Sequence, residues 1–294
     1  MREEKIGVLG ASSLVGGCLL TQLAGLAYKS IAFSREKRMS VHGSTVEWRQ
    51  LPLSGARNLD LANSVSNWIC IAPIWILPDH FELLESLGVR RIIVISSTSR
   101  FGKLDSPDIS ERELALRLAG AEDDLQRWAN NKSIEWVILR PTVIYGFGKD
   151  KNVSEISRFI DRFGFFPFFG QARGLRQPMH ADDVAKACVS ALFQNNVTGQ
   201  AYNISGGETL SYREMVERIF TAMRKRPRLF RIPLWGFKFA ISVLKVIPRY
   251  KHWSSAMVQR MDQDLIFDHS EAAAAFGFRP RRFVLKSEDL PKKR

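Results

Sequence analysis

The stretch Lys5–Gly17, KIGVLGASSLVGG, decides the fold of this chain. The residues up to Leu9 are mostly apolar and predict a buried strand, and the apolar spacing that begins at Leu14 predicts a helix. Between them lies a turn with glycine at positions 10 and 16. A strand, a glycine turn and a helix in this order are typical of the first βαβ unit of a doubly wound parallel sheet.

The turn has the spacing G-x-x-G-x-x-G, with Ser13 at the middle glycine position. Glycine allows a tight turn and a close backbone approach to a pyrophosphate, and the helix N-terminus favours its negative charge. Serine is small enough to keep that approach open. We therefore predict a dinucleotide site here, against the alternative of a turn used only for helix–sheet packing. The predicted cofactor contacts in the turn are Gly10, Ser12, Ser13, Leu14, Val15 and Gly16.

The first half of the sequence continues to alternate short apolar runs with helical stretches, which predicts a parallel sheet with helices on both faces. The predicted strands are Lys5–Leu9, Ser30–Ser34, Val46–Leu51, Trp68–Ala72, Arg91–Ser96 and Glu135–Leu139. The predicted fold is a doubly wound α/β (Rossmann) domain over residues 1–150, with a smaller C-terminal α+β substrate lobe over 151–294. Within that lobe, residues 177–204 are expected to return to the sheet.

The second predicted strand ends in AFSREKR, residues 32–38. An acidic residue at this place hydrogen-bonds the ribose 2′-hydroxyl of NAD, whereas an arginine suits the 2′-phosphate of NADP. The sequence has Ser34 and Arg35 here, with Arg38 close behind, so we predict cofactor contacts from all three and favour NADP over NAD. The alternative is that Arg35 is simply an exposed side chain.

Composition and charge limit the classes of partner. The formal net charge of +13 predicts an anionic partner, such as a nucleotide, a sugar phosphate or a membrane surface. No nucleic-acid partner is expected, because no reading motif is present and the aromatic residues are not interleaved with the charge. The three cysteines lie far apart without metal-ligand or disulfide spacing, which predicts no metal site and a reducing, cytoplasmic compartment.

One apolar stretch leaves the membrane question open. The chain runs directly from its N-terminus into a strand, which predicts no signal peptide, and no apolar run reaches the roughly 20 residues needed to span a bilayer. Ile232–Pro248 is nevertheless strongly apolar and flanked by basic residues. It predicts either packing within the lobe or peripheral membrane contact, to which the aromatic loop Phe163–Phe169 would add.

Four motifs, in order along the chain, resemble the short-chain dehydrogenase/reductase superfamily. More closely, they resemble its extended and atypical NAD(P)-dependent sugar-nucleotide epimerases and dehydratases. The motifs are GASSLVG (Gly10–Gly16), ISSTSRFG (Ile95–Gly102), LRPTVIYG (Leu139–Gly146) and RQPMHADDVAKA (Arg176–Ala187). The resemblance covers roughly residues 5–220 and is specific as a set, although any one motif alone would not be.

The resemblance implies roles for further residues. It makes Ser97 the hydroxyl that hydrogen-bonds the reacting oxygen, with Thr98 as a second catalytic candidate. It places Arg176 on the diphosphate of a nucleotide-linked sugar, with Asn152 as a further substrate contact and Tyr145 packed so that its hydroxyl meets the substrate at the rim of the pocket. If the membrane contact holds, a lipid-linked sugar diphosphate is the alternative substrate. The further cofactor contacts that it implies are Ala72, Pro73, Ser96, Pro141 and Thr142.

The helix after the fifth strand carries a Tyr-x-x-x-Lys pair in this family. One helical turn puts both side chains on the same face, and the lysine lowers the pKa of the tyrosine. Here the helix reads ERELALRLAGAE, and alignment on Glu122 puts Leu114 and Leu118 at the two places. We therefore expect an epimerase, dehydratase or reductase of altered catalysis. The alternative is a non-catalytic NADP-binding structural or regulatory protein. The resemblance also implies a homodimer through the apolar side of Leu114–Leu125.

Overall fold

The computed structural model describes residues 4–40, 43–51, 64–232 and 260–292. The strands are β1 (Lys5–Leu9), β2 (Lys29–Ser34), β3 (Val46–Gln50), β4 (Asn67–Cys70), β5 (Arg91–Ile95), β6 (Glu135–Pro141), β7 (Ile144–Tyr145), β8 (Phe166–Phe169), β9 (Leu175–Arg176), β10 (Met179–His180), β11 (Gln200–Ile204), β12 (Leu210–Ser211) and β13 (Leu229–Ile232). The helices are α1 (Leu14–Gly25), α2 (Phe81–Ser86), α3 (Ser99–Gly102), α4 (Ile109–Asn131), α5 (Val153–Phe163), α6 (Ala181–Phe193), α7 (Tyr212–Ala222) and α8 (Ser270–Phe276). Short 3₁₀ segments lie at Ile74–His80, Asn195–Val197 and Ser287–Asp289.

Seven strands form one parallel sheet in the order β3-β2-β1-β4-β5-β6-β11. The chain starts at β1, runs outward to β3, and crosses back to β4 on the other side of β1. This reversal is the topological switch point at which doubly wound folds bind ligands, beyond the carboxyl ends of the strands. The prediction of a doubly wound α/β fold is therefore confirmed.

The core lies on both faces of this sheet. Successive side chains of each strand point to opposite faces, so Ile6 and Val8 pack in the cluster that contains residues of α1 and α6. Their neighbour Leu9 packs in the cluster that contains residues of α4. Ile93 and Val94 of β5 divide between the two clusters in the same way. Burial on both faces explains why these strands read as continuous apolar runs rather than alternating ones.

The apolar side of α4 is covered by the sheet of its own chain. Leu118, Ala121 and Leu125 belong to a buried core cluster. Most of the apolar side of Leu114–Leu125, through which a homodimer is expected, is therefore buried within the chain itself, and Leu114 is half-buried. The exposed apolar residues of this helix are Ile109 and Leu116, on other faces.

The C-terminal lobe has a smaller core of its own, built from α5, α7 and residues near the C-terminus, including Phe159, Phe220 and Phe283. A Ser-x-x-Glu capping box begins α7, with Ser211 and Glu214 hydrogen-bonded reciprocally. The chain returns to the main sheet before this helix, where β11 pairs with β6. Because β11 runs parallel to β6, the chain re-enters the C-terminal lobe after Ile204 at the carboxyl edge of the sheet.

Most of the apolar stretch Ile232–Pro248 lies outside the described residues, which include only Ile232 of it. Within the aromatic loop, Phe166 and Phe168 are buried, and Phe163 and Phe165 are half-buried. Of the helices in the described ranges, none is long and apolar enough to cross a bilayer.

Candidate functional site

The turn between β1 and α1 has the geometry of a phosphate-binding loop. Gly10 has a φ of +79°, and a Cβ at this position would lie 2.4 Å from the backbone nitrogen of Ala72. A Cβ at Gly16 would lie 2.5 Å from the carbonyl oxygen of Ala11. Glycine is thus required at both positions, first for the left-handed conformation and then for the close packing of helix on strand.

The start of α1 is open to an anion. Ser13 is the N-cap, and its hydroxyl accepts a hydrogen bond from the N–H of Gly16 at 3.1 Å. Ser12 and Ser13 are exposed, Leu14 is half-buried, and the first turn of the helix contains no acidic residue. Unpaired backbone N–H groups and the helix dipole at this end favour a diphosphate. Val15 is buried and contributes to the fold of the turn rather than to its exposed surface.

The end of β2 presents basic side chains near this turn. Ser34 is buried and its hydroxyl accepts from the N–H of Glu36 at 3.3 Å. Arg35 is exposed. The guanidinium of Arg38 stacks on the ring of Trp48 at 4.9 Å, and Trp48 lies in β3 opposite Ala32 of β2. The arrangement can therefore offer two guanidinium groups to an anion bound at this edge.

A cavity of about 470 Å³ opens between the carboxyl edge of the sheet and the C-terminal lobe. The predicted residues that line it are Ser96, Ser97, Thr98, Pro141, Thr142, Asn152 and Arg176. The predicted cofactor residues outside the cavity lie at the same carboxyl edge of the sheet. They follow β1 in the glycine turn, β2 at its end, and β4 at Ala72 and Pro73. The predicted site residues thus fall into two neighbouring groups: one at the carboxyl edge of the sheet around the glycine turn, and one that lines the cavity.

Hydrogen bonds fix the wall of the cavity that follows β5 and β6. The backbone N–H and the hydroxyl of Thr98 both donate to the carbonyl of Pro141, each at 3.1 Å. The hydroxyl of Ser97 accepts from the N–H of Ser99 at 3.1 Å, which leaves its proton available to a ligand. The hydroxyl of Thr142 donates to the carbonyl of Gln177. Thr98 is therefore held by the protein, and Ser97 is the hydroxyl better placed to act on a ligand.

Arg176 brings a buried positive charge to the cavity. It is 7% exposed, and its guanidinium donates to the backbone carbonyls of Leu175 at 2.8 Å, Gln263 at 2.7 Å and Arg260. Within the described residues no carboxylate forms an ion pair with it. Burial lowers the pKa of Arg176 to about 10 because the charged form is partly desolvated. Carbonyl groups orient this cation without neutralising it, which is the arrangement that an anionic ligand completes.

Tyr145 does not reach the cavity. Its side chain is fully buried, and its ring packs edge-on against His180 at 5.2 Å and Phe283 at 4.9 Å. Burial raises the pKa of its phenol. The expected substrate contact at this position is therefore corrected to a packing role in the core of the lobe.

The helix α4 turns apolar side chains and one buried carboxylate toward the sheet. It contains neither tyrosine nor lysine, and Leu118 is 3% exposed in the core. One turn further on, the fully buried carboxylate of Glu122 accepts hydrogen bonds from Ser96 and from the guanidinium groups of Arg100 and Arg140. This cluster fixes α4 to the loop after β5 and to the end of β6.

Several residues that were not predicted also line the cavity, and three of them are Lys103, Arg260 and Tyr212. Lys103 directly follows the motif Ile95–Gly102, and its position next to that motif was the signal available in the sequence. Arg260 lies far along the chain in a region without motifs, and no sequence signal marked it. Tyr212 also lines the cavity; burial raises its pKa to about 12, against the opposing effect of the Arg176 and Arg260 charges. No group of three or more His, Cys, Asp or Glu suited to a metal occurs in the described ranges.

The sequence has relatives among epimerases and among subunits of a respiratory complex. Residues 79–205 match the model of the NAD dependent epimerase/dehydratase family. A UDP-glucose 4-epimerase of Vibrio cholerae is 25% identical over 202 residues, which are 66% of this chain and 59% of the relative. NADH dehydrogenase [ubiquinone] 1 alpha subcomplex subunit 9, mitochondrial, of Arabidopsis thaliana is 28% identical over 166 residues, 56% of this chain and 37% of the relative. The match thus spans less than two thirds of either relative.

The fold has close counterparts among solved structures. The structure described as MoeE5 in complex with UDP-glucose and NAD superposes with a TM-score of 0.68, over 94% of this chain and 93% of that chain, at 20% identity. At this identity the likeness speaks for the fold. The chain is thus similar to the NAD dependent epimerase/dehydratase family over residues 79–205, and it has the fold of the solved epimerase-like structure.

Proposed function

We propose that this protein binds NADP or NAD along the carboxyl edge of its sheet and a nucleotide-linked or lipid-linked sugar in the adjoining cavity. The observation that carries the proposal is Arg176, a buried cation that lines the cavity and whose hydrogen bonds within the described residues all go to backbone carbonyls. A diphosphate supplies the missing negative charge. Ser97 lines the same cavity and has a hydroxyl proton to donate to a sugar oxygen.

The residues at the edge fit a dinucleotide. The glycine turn and the N–H groups of Ser12 and Leu14 hold the pyrophosphate, the hydroxyl of Ser13 lies beside it, and Ala72 and Pro73 border the ribose. Ser96, Pro141 and Thr142 border the nicotinamide side, where the cavity begins. When bound, the cofactor supplies reversible hydride transfer. Arg35 and Arg38 select NADP over NAD, because guanidinium groups at the end of the second strand match a 2′-phosphate.

Any catalysis in this site differs from that of a Tyr-x-x-x-Lys enzyme. The Leu114 and Leu118 side chains cannot exchange protons, so the acid or base comes from Ser97, from Thr98, from the substrate itself or from an acidic residue of the C-terminal lobe. Ser97 is the favoured catalytic hydroxyl, because Thr98 donates its proton to Pro141. The role of the protein residues is then to bind and orient the sugar, with Asn152 and Arg176 as its further contacts.

A second candidate function is a non-catalytic NADP-binding structural or regulatory protein. The observation that favours it is Leu118 in the core, beside a Glu122 carboxylate fully engaged by arginines and Ser96. Such a protein keeps the nucleotide site and loses turnover. Either function is compatible with a cytoplasmic protein that contacts a membrane surface through Ile232–Pro248, where an apolar stretch meets basic flanks.

Calorimetric titration with NADP⁺ and NAD⁺ tests the cofactor site. We expect micromolar binding of NADP⁺, weakened on the order of tenfold in Arg35→Ala, with NAD⁺ binding unchanged. The matched control is Lys29→Ala, an exposed basic residue at the opposite end of the same strand, which should bind both nucleotides as the wild type does. If neither nucleotide binds the wild type, the turn is architecture only and the proposal fails.

Hydride exchange separates the two functions. UDP-glucose added to the NADP⁺-loaded protein should change the absorbance of the nicotinamide if an oxidation step occurs, and Ser97→Ala should reduce that rate at least about a hundredfold. Tight NADP⁺ binding without any exchange over a series of sugar nucleotides favours the non-catalytic function.

A further inference from the structure

One carboxylate near the end of the chain joins two segments of the cavity wall without lining the cavity itself. Oδ1 of Asp289 accepts the backbone N–H of Phe147 at 3.2 Å and lies 3.0 Å from Nε2 of His180. Its other oxygen, Oδ2, accepts the backbone N–H of Lys286 at 3.0 Å. Asp289 is 2% exposed and is not among the described residues that line the cavity. Its partners are therefore other parts of the protein rather than a ligand.

The ring of His180 is oriented so that it donates to this carboxylate. Its Nδ1 accepts the backbone N–H of Asp182 at 3.1 Å, and because a backbone N–H can only donate, this ring nitrogen carries no proton. The neutral ring then has its proton on Nε2, which faces Asp289. Burial raises the pKa of Asp289, but hydrogen bonds from His180 and from two backbone N–H groups outweigh burial, and the pKa lies below its ordinary value. Asp289 is thus an ionised acceptor for all three partners at neutral pH.

The first segment that Asp289 holds is the loop Gly146–Asn152, which follows β7. Phe147 has a left-handed backbone with a φ of +53°, a conformation that a bulky residue keeps only where its surroundings hold it. The N–H of Gly148 donates to the backbone carbonyl of Asp289 at 3.1 Å. A Cβ at Gly148 would lie 2.6 Å from the carbonyl oxygen of Leu290. The C-terminal segment therefore packs directly against the backbone of this loop.

The far end of the loop is fixed by a different acid. Asp150 accepts the N–H of Asn152 at 2.8 Å, and the N–H and hydroxyl of Ser154 at 3.1 and 2.5 Å, which joins the loop to the start of α5. Asp289 makes the corresponding contact at the near end. The two carboxylates thus fix both ends of the segment that carries Lys151.

The two segments that meet at Asp289 each contribute to the cavity. The loop contributes Lys151 and Asn152, which line it. His180 lies on β10, which pairs with β7 and directly follows the stretch that contains Arg176. Arg176 lines the cavity as well. A single carboxylate oxygen therefore joins the segment that carries one cation of the cavity to the segment that carries another.

We infer that Asp289 is a positioning residue for the cavity, which fixes Lys151 relative to Arg176 without touching the ligand. The inference rests on the proposed function, since it concerns how the same cavity binds a diphosphate. The negative charges of a diphosphate have a fixed spacing, so cations on two separate segments serve it best when the segments are held at one distance. Without Asp289, the N–H of Phe147 loses its acceptor and the left-handed loop loses a restraint. Lys151 then shifts relative to Arg176, and ligand binding weakens.

Calorimetric titration of the NADP⁺-loaded full chain with UDP-glucose, and of the full chain with NADP⁺, tests this inference. Asp289→Ala should weaken UDP-glucose binding on the order of tenfold and leave NADP⁺ binding unchanged, because the glycine turn is not part of this arrangement. A purely structural role would lower the melting temperature and leave both affinities of the folded protein unchanged. Glu288→Ala is the matched control. It removes an exposed carboxylate from the same short segment, and should bind both ligands as the wild type does.

A double-mutant cycle shows whether Asp289 acts through Lys151. Lys151→Met alone should weaken UDP-glucose binding about fivefold, as expected for an exposed cation. If Asp289 positions Lys151, the double variant should be weakened roughly tenfold, as Asp289→Ala alone is, because the displaced lysine no longer contributes. A loss near the product of the two, about fiftyfold, means that the residues act independently and overturns the inference.

Asp289→Asn protects the test against a first variant that does not fold. Asparagine keeps one accepting oxygen and replaces the other by an NH₂ donor, so it cannot accept from Lys286 and from Phe147 together. It should weaken UDP-glucose binding about threefold, again without an effect on NADP⁺. Wild-type affinity for UDP-glucose in a folded Asp289 variant overturns the inference and leaves the proposed function standing. A wild-type protein that does not bind UDP-glucose overturns the proposed function and the inference with it.

Discussion

The carboxylate of Glu122 accepts the Nε–H of Arg140 at 3.1 Å, and no part of the glutamate is exposed to solvent. Arg100 and the hydroxyl of Ser96 bind the same carboxylate. A buried charge survives only when it is paired and hydrogen-bonded, and these partners meet that condition. The cluster joins α4, the loop after β5 and the end of β6, which are the elements around the nicotinamide side of the proposed site.

Glu122→Gln should destabilise the protein by about 3–5 kcal/mol, because the two arginines then lose their buried counter-charge. Denaturant unfolding at neutral pH measures the change. Asp124→Asn is the control on the same helix, since Asp124 and Arg127 form an exposed pair that contributes less than about 1 kcal/mol. Equal effects of the two substitutions would contradict the account of a buried ion cluster.

The ionised carboxylate of Glu208 stabilises the C-terminal lobe, and this stabilisation is lost in acid. Its carboxylate accepts two hydrogen bonds from Arg218, at 2.8 and 2.9 Å, and further ones from Arg282 and from the N–H of Phe283. These contacts, above all those of Arg218, lower the pKa of Glu208 from 4.5 to about 2. A lowered carboxyl pKa contributes stability that is complete above the unfolded value and is lost as pH falls through the folded one.

Glu208→Gln should therefore lower the free energy of unfolding at neutral pH by about 1–2 kcal/mol, with a difference from wild type that shrinks as pH falls below about 4.5 toward 2. Melting curves over this pH range measure it. Glu217→Gln, in the exposed pair with Arg213 on the same helix, serves as the control and should show less than about 1 kcal/mol at every pH. A difference that stays constant through the acid range would show that ionisation of Glu208 does not contribute.

The parts of the molecule that follow from local pattern could be predicted from the sequence. Gly10, Ser13 and Gly16 lie within one turn, and the apolar run of the strand before this turn predicted that they lie at the edge of the sheet. Arg260 could not be predicted, because it meets Arg176 across 84 residues and no motif marks it. That the hydroxyl of Tyr145 does not reach the cavity could not be predicted for a similar reason: the ring packs against Phe283, which lies 138 residues further along the chain.

Gly10→Ala should destabilise the fold by at least about 2 kcal/mol and abolish nucleotide binding, because the added Cβ meets the backbone of Ala72 and forces a left-handed alanine. Gly17→Ala is the contrasting substitution. Gly17 is exposed within α1, and a Cβ there has no atom within 4 Å, so helix propensity should stabilise the variant by about 0.5–1 kcal/mol. Melting temperatures and NADP⁺ titrations of both variants test whether the loss of stability and of binding is specific to the glycine in the turn, or follows from any alanine introduced near the start of α1.

Arg176→Met should weaken binding of UDP-glucose by roughly ten- to a hundredfold, since the diphosphate loses a buried, pre-oriented cation. Three backbone carbonyls lose their donor as well, so the variant should also be destabilised by about 1–3 kcal/mol, and its folding must be checked by its melting curve. Arg173→Met, three residues earlier and exposed, removes the same charge outside the cavity and should leave UDP-glucose affinity unchanged. NADP⁺ affinity should be unchanged in both variants, because the glycine turn is untouched. A folded Arg176→Met protein that binds UDP-glucose like wild type would mean that the cation serves the backbone of the lobe and not a ligand.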